Sequence, residues 1–403
     1  MAMATSVETS KVPRGEIENR TAQLQASLVE KRLDGAFLLQ NVDIFYFSGT
    51  IQSSVLFVPC KGEPLLMVQK SLQRAKEESP LNLVVPLGPR GEIAALLRKA
   101  GISPPLNAGL EMDVIPASIY LSYVRMFPNC RFEDISREIR LLRMIKTPYE
   151  TDQIRRAARI LDKGFDEIKR IIREGITELE VDGHLSLIAR REGHMGVLRM
   201  RGWNQEMTYA HVLSGESGSV TSFLNSAHGG SGNTPAMAQG AGFRRIRRDE
   251  PIGIDYGVAV NGYVGDEFRT FVIGDLGGEL KEAHHCAVEI LQALARAAKP
   301  GVLCSHLYHM AEEMAQKAGL RPFFEGYGEG QVRFLGHGIG LEIDEFPVIA
   351  PGFKEPLQEG MVIALEPKFV FPGRGIVGIE DDYLVTPKGL ERITLTDQRL
   401  IKI

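Results

Sequence analysis

Residues 251–273 read PIGIDYGVAVNGYVGDEFRTFVI: an apolar run, the pair Asn261-Gly262, then a second strand-like run. Asn-Gly between two such runs is a strong hairpin signal, because both central residues of the turn must accept positive φ. With Asn261 and Gly262 as the turn, Val260 opposes Tyr263 and Asp255 opposes Phe268. Asp266 is then the diagonal neighbour of Asp255 on the same face, with Cβ atoms about 7–8 Å apart or slightly closer. Two carboxylates at that spacing cannot touch but can share cations, and without cations they repel. Alone, the pair is as compatible with Asp255 as a mere strand-end acid and Asp266 as a solvated one as with a shared cation site.

The C-terminal strands repeat the pattern. Met361–Phe371 and Gly375–Thr386 flank Pro372-Gly373-Arg374, and a hairpin centred on Gly373 sets Glu366 opposite Glu380. Like charges facing each other destabilise a sheet unless a cation lies between them. Between the two acid hairpins lies Leu335-Gly336-His337-Gly338-Ile339-Gly340, where glycines permit close backbone approach and leave the imidazole free to act as a neutral ligand. Four carboxylates and one imidazole are mostly hard oxygen ligands, suited to Mn²⁺, Fe²⁺, Co²⁺ or Zn²⁺. Their negative charge balances two dications, and a metal pair about 3.5–4 Å apart acidifies a water and stabilises a tetrahedral oxyanion. Hydrolysis of a carbonyl–nitrogen bond is the reaction class this implies.

The rest of the chain frames that site. Its 403 residues exceed one typical domain of roughly 100–200, so two domains are expected. A composition of 44% hydrophobic and 24% charged residues belongs to an ordinary globular protein. A net charge of −4 without long like-charge blocks argues against nucleic acid or an anionic membrane as partner. The cluster Arg244, Arg245, Arg247, Arg248 runs into Asp249 and Glu250 and reads as a solvated turn before a strand. Residues 1–15 are polar, without a secretory apolar run, and no stretch approaches the roughly 20 apolar residues of a membrane span. Cys60, Cys130, Cys286 and Cys304 are scattered, so neither a disulfide framework nor a zinc knuckle is indicated, and a reducing cytoplasm is expected.

Strand-like runs at 35–40, 54–59, 64–69 and 83–87 alternate with helical stretches at 92–99 and 116–126, predicting a layered α/β unit. Residues 136–173 are charged and helical in period, and the boundary is placed near Leu142. A helix at 178–192 leads into a Gly-, Ser- and Asn-rich segment, 202–242, of a length that marks a functional or poorly ordered loop. After the first acid hairpin come two long helices, at 278–298 and 305–319, and further strands. Two blocks of hairpin plus helices suggest halves of a pseudo-symmetric α+β domain.

These residues, in this order and spacing, resemble the creatinase/prolidase/aminopeptidase P family of metallopeptidases. The resemblance covers nearly the whole chain: Asn41-Val42-Asp43-Ile44-Phe45-Tyr46-Phe47-Ser48-Gly49 is similar to the N-terminal-domain signature, and Leu142-Arg143-Met144-Ile145-Lys146-Thr147 with Glu150 to the entry of the catalytic domain. It implies a creatinase-like α/β domain over 1–142 and a pseudo-symmetric pita-bread catalytic domain over 143–403. The family's ligand order, Asp, Asp, His, Glu, Glu, matches Asp255, Asp266, His337, Glu366 and Glu380. By that match Asp266 and Glu380 bridge two divalent ions, Asp255 binds one, His337 and Glu366 bind the other, and Glu366 helps deprotonate the attacking water. It also implies a small peptide or small amide substrate and a homodimer.

Around that centre the chain departs from the family. The histidine that precedes the first aspartate in proline-directed members is missing from 234–242; Asp344 stands where a second catalytic histidine is usual, Gly378 where an arginine is, and Phe268 where a threonine is. These changes remove groups that steady a substrate carbonyl and carboxylate. His228 or His211 is a candidate replacement imidazole and Arg374 a candidate guanidinium. Three readings follow: a metallopeptidase of altered specificity, a non-peptidase hydrolase or lyase on a small metabolite, and a non-catalytic protein that keeps metal for stability.

Overall fold

The structure, a computed structural model, describes residues 11–208 and 210–403. The polar reading of the N-terminus therefore falls, for residues 1–10, outside the described residues. Two compact units divide the chain between Arg143 and Met144.

The first unit is built on strands β1 (Gly35–Leu38), β2 (Ser54–Pro59), β3 (Leu65–Val68), β4 (Leu83–Pro86), β5 (Asn107–Leu110) and β6 (Arg131–Asp134). They form one mixed sheet in the order β4-β3-β2-β1-β5-β6. Its inner strands are short and mostly apolar, and Phe37 packs on Phe57, Tyr123 and Phe127 with ring centroids 4.7–5.2 Å apart. The signature segment 41–49 is a helix, Asn41–Ser48, that the apolar run conceals. Gln40 starts it by accepting hydrogen bonds from the Val42 and Asp43 amides at 2.6 and 2.9 Å, and Gly49 ends it at φ +76°.

The charged stretch 136–173, which runs across the unit boundary, is not one helix. Helix Ser136–Met144 stops, and a new helix, Pro148–Ile168, starts one turn later. Pro148 forces Thr147 out of the helical region (φ −74°, ψ 165°), and Thr147 with Glu150 forms a capping box. The apolar stripe of this helix, Ile154, Ala157, Leu161, Phe165 and Ile168, is buried, with Phe165 against Tyr256 and Phe271. A second helix, Glu178–Glu192, precedes β7 (Ala210–Ser214), β8 (Ile252–Val260) and β9 (Tyr263–Val272). Helices Gly278–Ala297 and Cys304–Lys317 then precede β10 (Gly336–Gly338), β11 (Glu345–Val348), β12 (Val362–Leu365), β13 (Lys368–Phe371), β14 (Gly375–Gly378), β15 (Asp381–Thr386), β16 (Gly389–Arg392) and β17 (Ile401–Lys402). Each half therefore lays two helices ahead of an acid-bearing hairpin, the α+β arrangement expected from the sequence.

Three sheets carry these strands: β17-β9-β8-β7, β11-β10-β12-β15-β16, and the pair β13-β14. The first hairpin has the register expected from Asn261-Gly262: Val260 faces Tyr263, Asp255 faces Phe268, and Asp266 faces Gly257. In the second, Leu365 pairs with Asp381 on one side and Lys368 with Gly378 on the other, a single register that leaves Glu366 across from Glu380. An antiparallel bridge between Phe268 and Glu380 ties the hairpins together. Among the described residues no helix is long and apolar enough to cross a membrane.

Candidate metal centre

The two hairpins and β10 meet at the floor of a cleft lined by Asp255, Asp266, His337, Glu366 and Glu380 together with His211, His228 and Asp344. All five expected ligands are buried. Asp255 and Asp266 project from the same face of the first hairpin because two-residue spacing across the turn preserves the pleat. His337 sits in β10 beside β12, opposite Ala364, and Gly338 has no room for a side chain, since a Cβ there would lie 2.0 Å from the Phe346 carbonyl oxygen.

The imidazole of His337 donates its Nδ1–H to the Gly338 carbonyl at 3.1 Å, so that in the neutral ring, the form that binds a metal, Nε2 is the lone-pair atom. Nε2 lies 3.7 Å from Glu366 Oε1 and 3.9 Å from Glu380 Oε1. Asp266, His337 and Glu380 each offer a ligand atom, and these lie within 4.8 Å of one another. Glu380 Oε1 is buried without a hydrogen-bond partner. Burial and the neighbouring Glu380, Asp255 and Asp382 charges push the Asp266 carboxyl well above the usual carboxylate range. Burial, opposed by Lys368 and reinforced by Glu366, lifts Glu380 to about 8. Burial opposes charge on His337, yet Asp344, Glu366 and Glu380 outweigh it and raise the imidazole to about 9. This group of acids and imidazole fits one divalent ion.

On the other side of the cluster a cation is already present. Lys368 Nζ donates to Asp255 Oδ2 at 2.9 Å, Glu366 Oε2 at 2.7 Å and Glu380 Oε2 at 2.8 Å. Burial would raise the Asp255 pKa, but Lys368 and His228 overcome it and hold the carboxyl well below its ordinary value. The sequence reading missed Lys368. Its signal was the strand period: position 368 lies two residues beyond Glu366 and so shares its face. Glu325 was missed as well; its carboxylate accepts the Lys368 amide at 3.1 Å, and burial and Glu366 raise its pKa well above normal. The Lys368 ammonium thus engages three of the five expected ligands, and the grouped ligand atoms that fit a divalent ion are those of Asp266, His337 and Glu380.

Of the substitute groups, His228 is brought to the site, its Nε2 3.1 Å from Asp255 Oδ2. His211, opposite Asp255 in the β7–β8 ladder, is buried, and burial together with His228 lowers it to about 4. Asp344 is half-exposed in the cleft, 3.6 Å from His337 Nδ1. Arg374 is not brought there: it pairs with Glu279 at the surface and lies over the Phe371 ring, because the β13–β14 turn points away from the cleft.

Comparison with known proteins agrees with this architecture. The Xaa-Pro dipeptidase of Pyrococcus furiosus is 29% identical over 388 residues, spanning 96% of this chain and 100% of that protein. An uncharacterized peptidase of Staphylococcus aureus is 31% identical over 377 residues, 91% of this chain and 96% of its own. The crystal structure of the X-Pro aminopeptidase from Thermotoga maritima superposes with a TM-score of 0.79 at 25% identity, covering 95% and 99% of the two chains. Residues 20–145 match the creatinase/prolidase N-terminal domain and residues 152–387 match metallopeptidase family M24. The chain belongs to metallopeptidase family M24, a metal-dependent hydrolase with a creatinase-type domain ahead of a pita-bread unit.

Proposed function

We propose that the protein hydrolyses the carbonyl–nitrogen bond of a small Xaa-Pro-type peptide at the cleft, using Asp266, His337, Glu380 and Glu366 as metal ligands. The observation that carries this reading is the convergence of Asp266, His337 and Glu380 within ligand reach of one another beneath the cleft. A divalent ion such as Mn²⁺, Co²⁺, Zn²⁺ or Fe²⁺ bound there supplies Lewis-acid polarisation of a carbonyl and acidifies water. The chain does the rest. Gly338 fixes the His337 tautomer, Glu366 accepts a proton from the nucleophile, and Asp344 faces the cleft where it steadies the imidazole. His228, beside Asp255, provides an imidazole in the cleft lining. The catalytic unit is assigned to 143–403 and the N-terminal domain to 1–142. A homodimer and a cytoplasmic setting accompany this reading by analogy with the family, and the four cysteines are free.

A second reading, a non-peptidase hydrolase of a small amide, is favoured by one observation: with Gly378 in place of the family's arginine and Arg374 turned outward, no guanidinium among the described residues lines the cleft to hold a peptide carboxylate. The test is a hydrolysis screen of Mn²⁺- or Co²⁺-loaded protein against Xaa-Pro dipeptides, longer Xaa-Pro peptides and small amides. Turnover of dipeptides supports the peptidase; turnover of amides alone supports the second reading, and silence on every class with metal bound removes both.

A further inference from the structure

We infer that the Lys368 ammonium occupies the place of one of the family's two divalent ions, so that the centre works with a single exchangeable ion beside a built-in organic cation. This rests on the metal-dependent reading above and concerns only how many ions that centre holds.

Geometry carries the case. Nζ lies 2.7–2.9 Å from one oxygen of each of Asp255, Glu366 and Glu380, three of the five expected ligands, drawn from both hairpins. Asp255 and the bridging Glu380 are ligands that the resemblance gives to one of the two ions, and the ammonium stands on that ion's side of the cluster while also drawing Glu366 from the other. The two glutamates divide their oxygens accordingly. Oε2 of each goes to the ammonium, while Oε1 of each faces His337 Nε2. Each glutamate therefore bridges an ammonium and a candidate ion site, where the family pattern has a carboxylate bridging two ions.

The lysine is built into the fold rather than swung into a gap. Its backbone N–H donates to Glu325 Oε1 at 3.1 Å, and its carbonyl accepts the Glu325 N–H at 3.0 Å, fixing the strand at both polar groups. Nζ stands 4.9 Å above the Phe268 ring, a cation–π contact in a dry environment. Across the ladder is Gly378, and a Cβ there would lie 2.8 Å from Lys368 Cα and Cγ. The Pro367 carbonyl oxygen is equally near, so backbone and lysine stem together leave no room for a side chain at 378. A dication bound to the same three oxygens would sit within contact range of Nζ, and like charges at that range inside a protein repel strongly.

The opposite side of the cluster is unfilled by protein. Glu380 Oε1 has no hydrogen-bond partner, and the ligand atoms of Asp266, His337 and Glu380 gather there. One ion completes the site; among the described residues no other such group of ligand atoms is present.

The experiment is metal stoichiometry on the full-length protein, stripped with chelator and titrated with Mn²⁺, read by calorimetry and by elemental analysis after desalting. The inference expects one Mn²⁺ per chain in a single class of sites, one again in Lys368→Arg, and two in Lys368→Ala. Two ions in the wild-type chain would overturn it while leaving the metal-dependent function standing. No bound ion would overturn that function too, and one ion in a folded Lys368→Ala would show that the lysine is not what excludes the second. If Lys368→Ala does not fold, the Mn²⁺ electron paramagnetic resonance spectrum of the wild-type protein decides: an isolated six-line signal is expected, and an exchange-coupled multiline signal contradicts the inference.

Discussion

Asp255 and Asp266 lie on the same face of one hairpin, yet their environments push them in opposite directions. Asp255 is held ionised by the ammonium of Lys368 and by His228. Asp266 is buried among Glu380, Asp255 and Asp382, and burial with those charges pushes its carboxyl well above the usual carboxylate range. The contrast teaches where the fold supplies its own positive charge and where it leaves the charge to be supplied. A buried carboxylate cluster is tolerable only when neutralised, and here one half of the neutralisation is covalent.

The largest way to break that contrast is to remove a ligand on the open side. Asp266→Asn or Glu380→Gln is expected to abolish bound Mn²⁺ and to reduce hydrolysis to background; either variant retaining metal by elemental analysis would show that the ion sits elsewhere. Removing the built-in cation tests the other side. Lys368→Met leaves three buried carboxylates facing one another, and loss of one partner from a buried ionic cluster costs about 3–5 kcal/mol. Chemical denaturation of the metal-free variant is expected to show that loss, and saturating Mn²⁺ is expected to restore much of it, because an ion can then enter. Destabilisation that metal leaves untouched would mean that the lysine stem, not its charge, matters.

Smaller effects sharpen the picture. Asp344→Asn removes the charge beside His337 Nδ1 while keeping the side chain's shape. It should weaken Mn²⁺ affinity only a few-fold, because a half-exposed charge 3.6 Å away contributes about 0.2–1 kcal/mol. An unchanged isotherm would place Asp344 on the substrate side alone. Thr147→Ala removes the capping box that starts helix Pro148–Ile168 and should cost about 1 kcal/mol, with stoichiometry unaltered. A change in metal content there would tie the helix start to the centre, which nothing in the geometry suggests.

How much of this was legible follows from period and turn chemistry. Asn261-Gly262 determined the register of the first hairpin, and that register alone paired the aspartates. Gly373 did the same for Glu366 and Glu380, although Pro367 interrupts the ladder between them and splits it into two sheets. The helix Asn41–Ser48 was illegible because its residues are apolar on nearly every face, so no stripe appears. The break at Thr147-Pro148 was written in the capping pattern but masked by continuous helical periodicity on both sides. Lys368 was readable from the strand period, yet a lysine in a strand ordinarily reads as an outward charge, and only burial identifies it as part of the centre. Arg374 erred in the other direction: sequence proximity to the acid hairpin suggested the cleft, whereas the tight turn carries it to the surface.

The most direct measurement is a crystal structure of the Mn²⁺-saturated protein with data collected for anomalous scattering. The account predicts one anomalous peak ligated by Asp266, His337 and Glu380, with the Lys368 ammonium still among Asp255, Glu366 and Glu380. A pair of peaks with the lysine displaced, or a peak between Asp255 and Glu366, would contradict it.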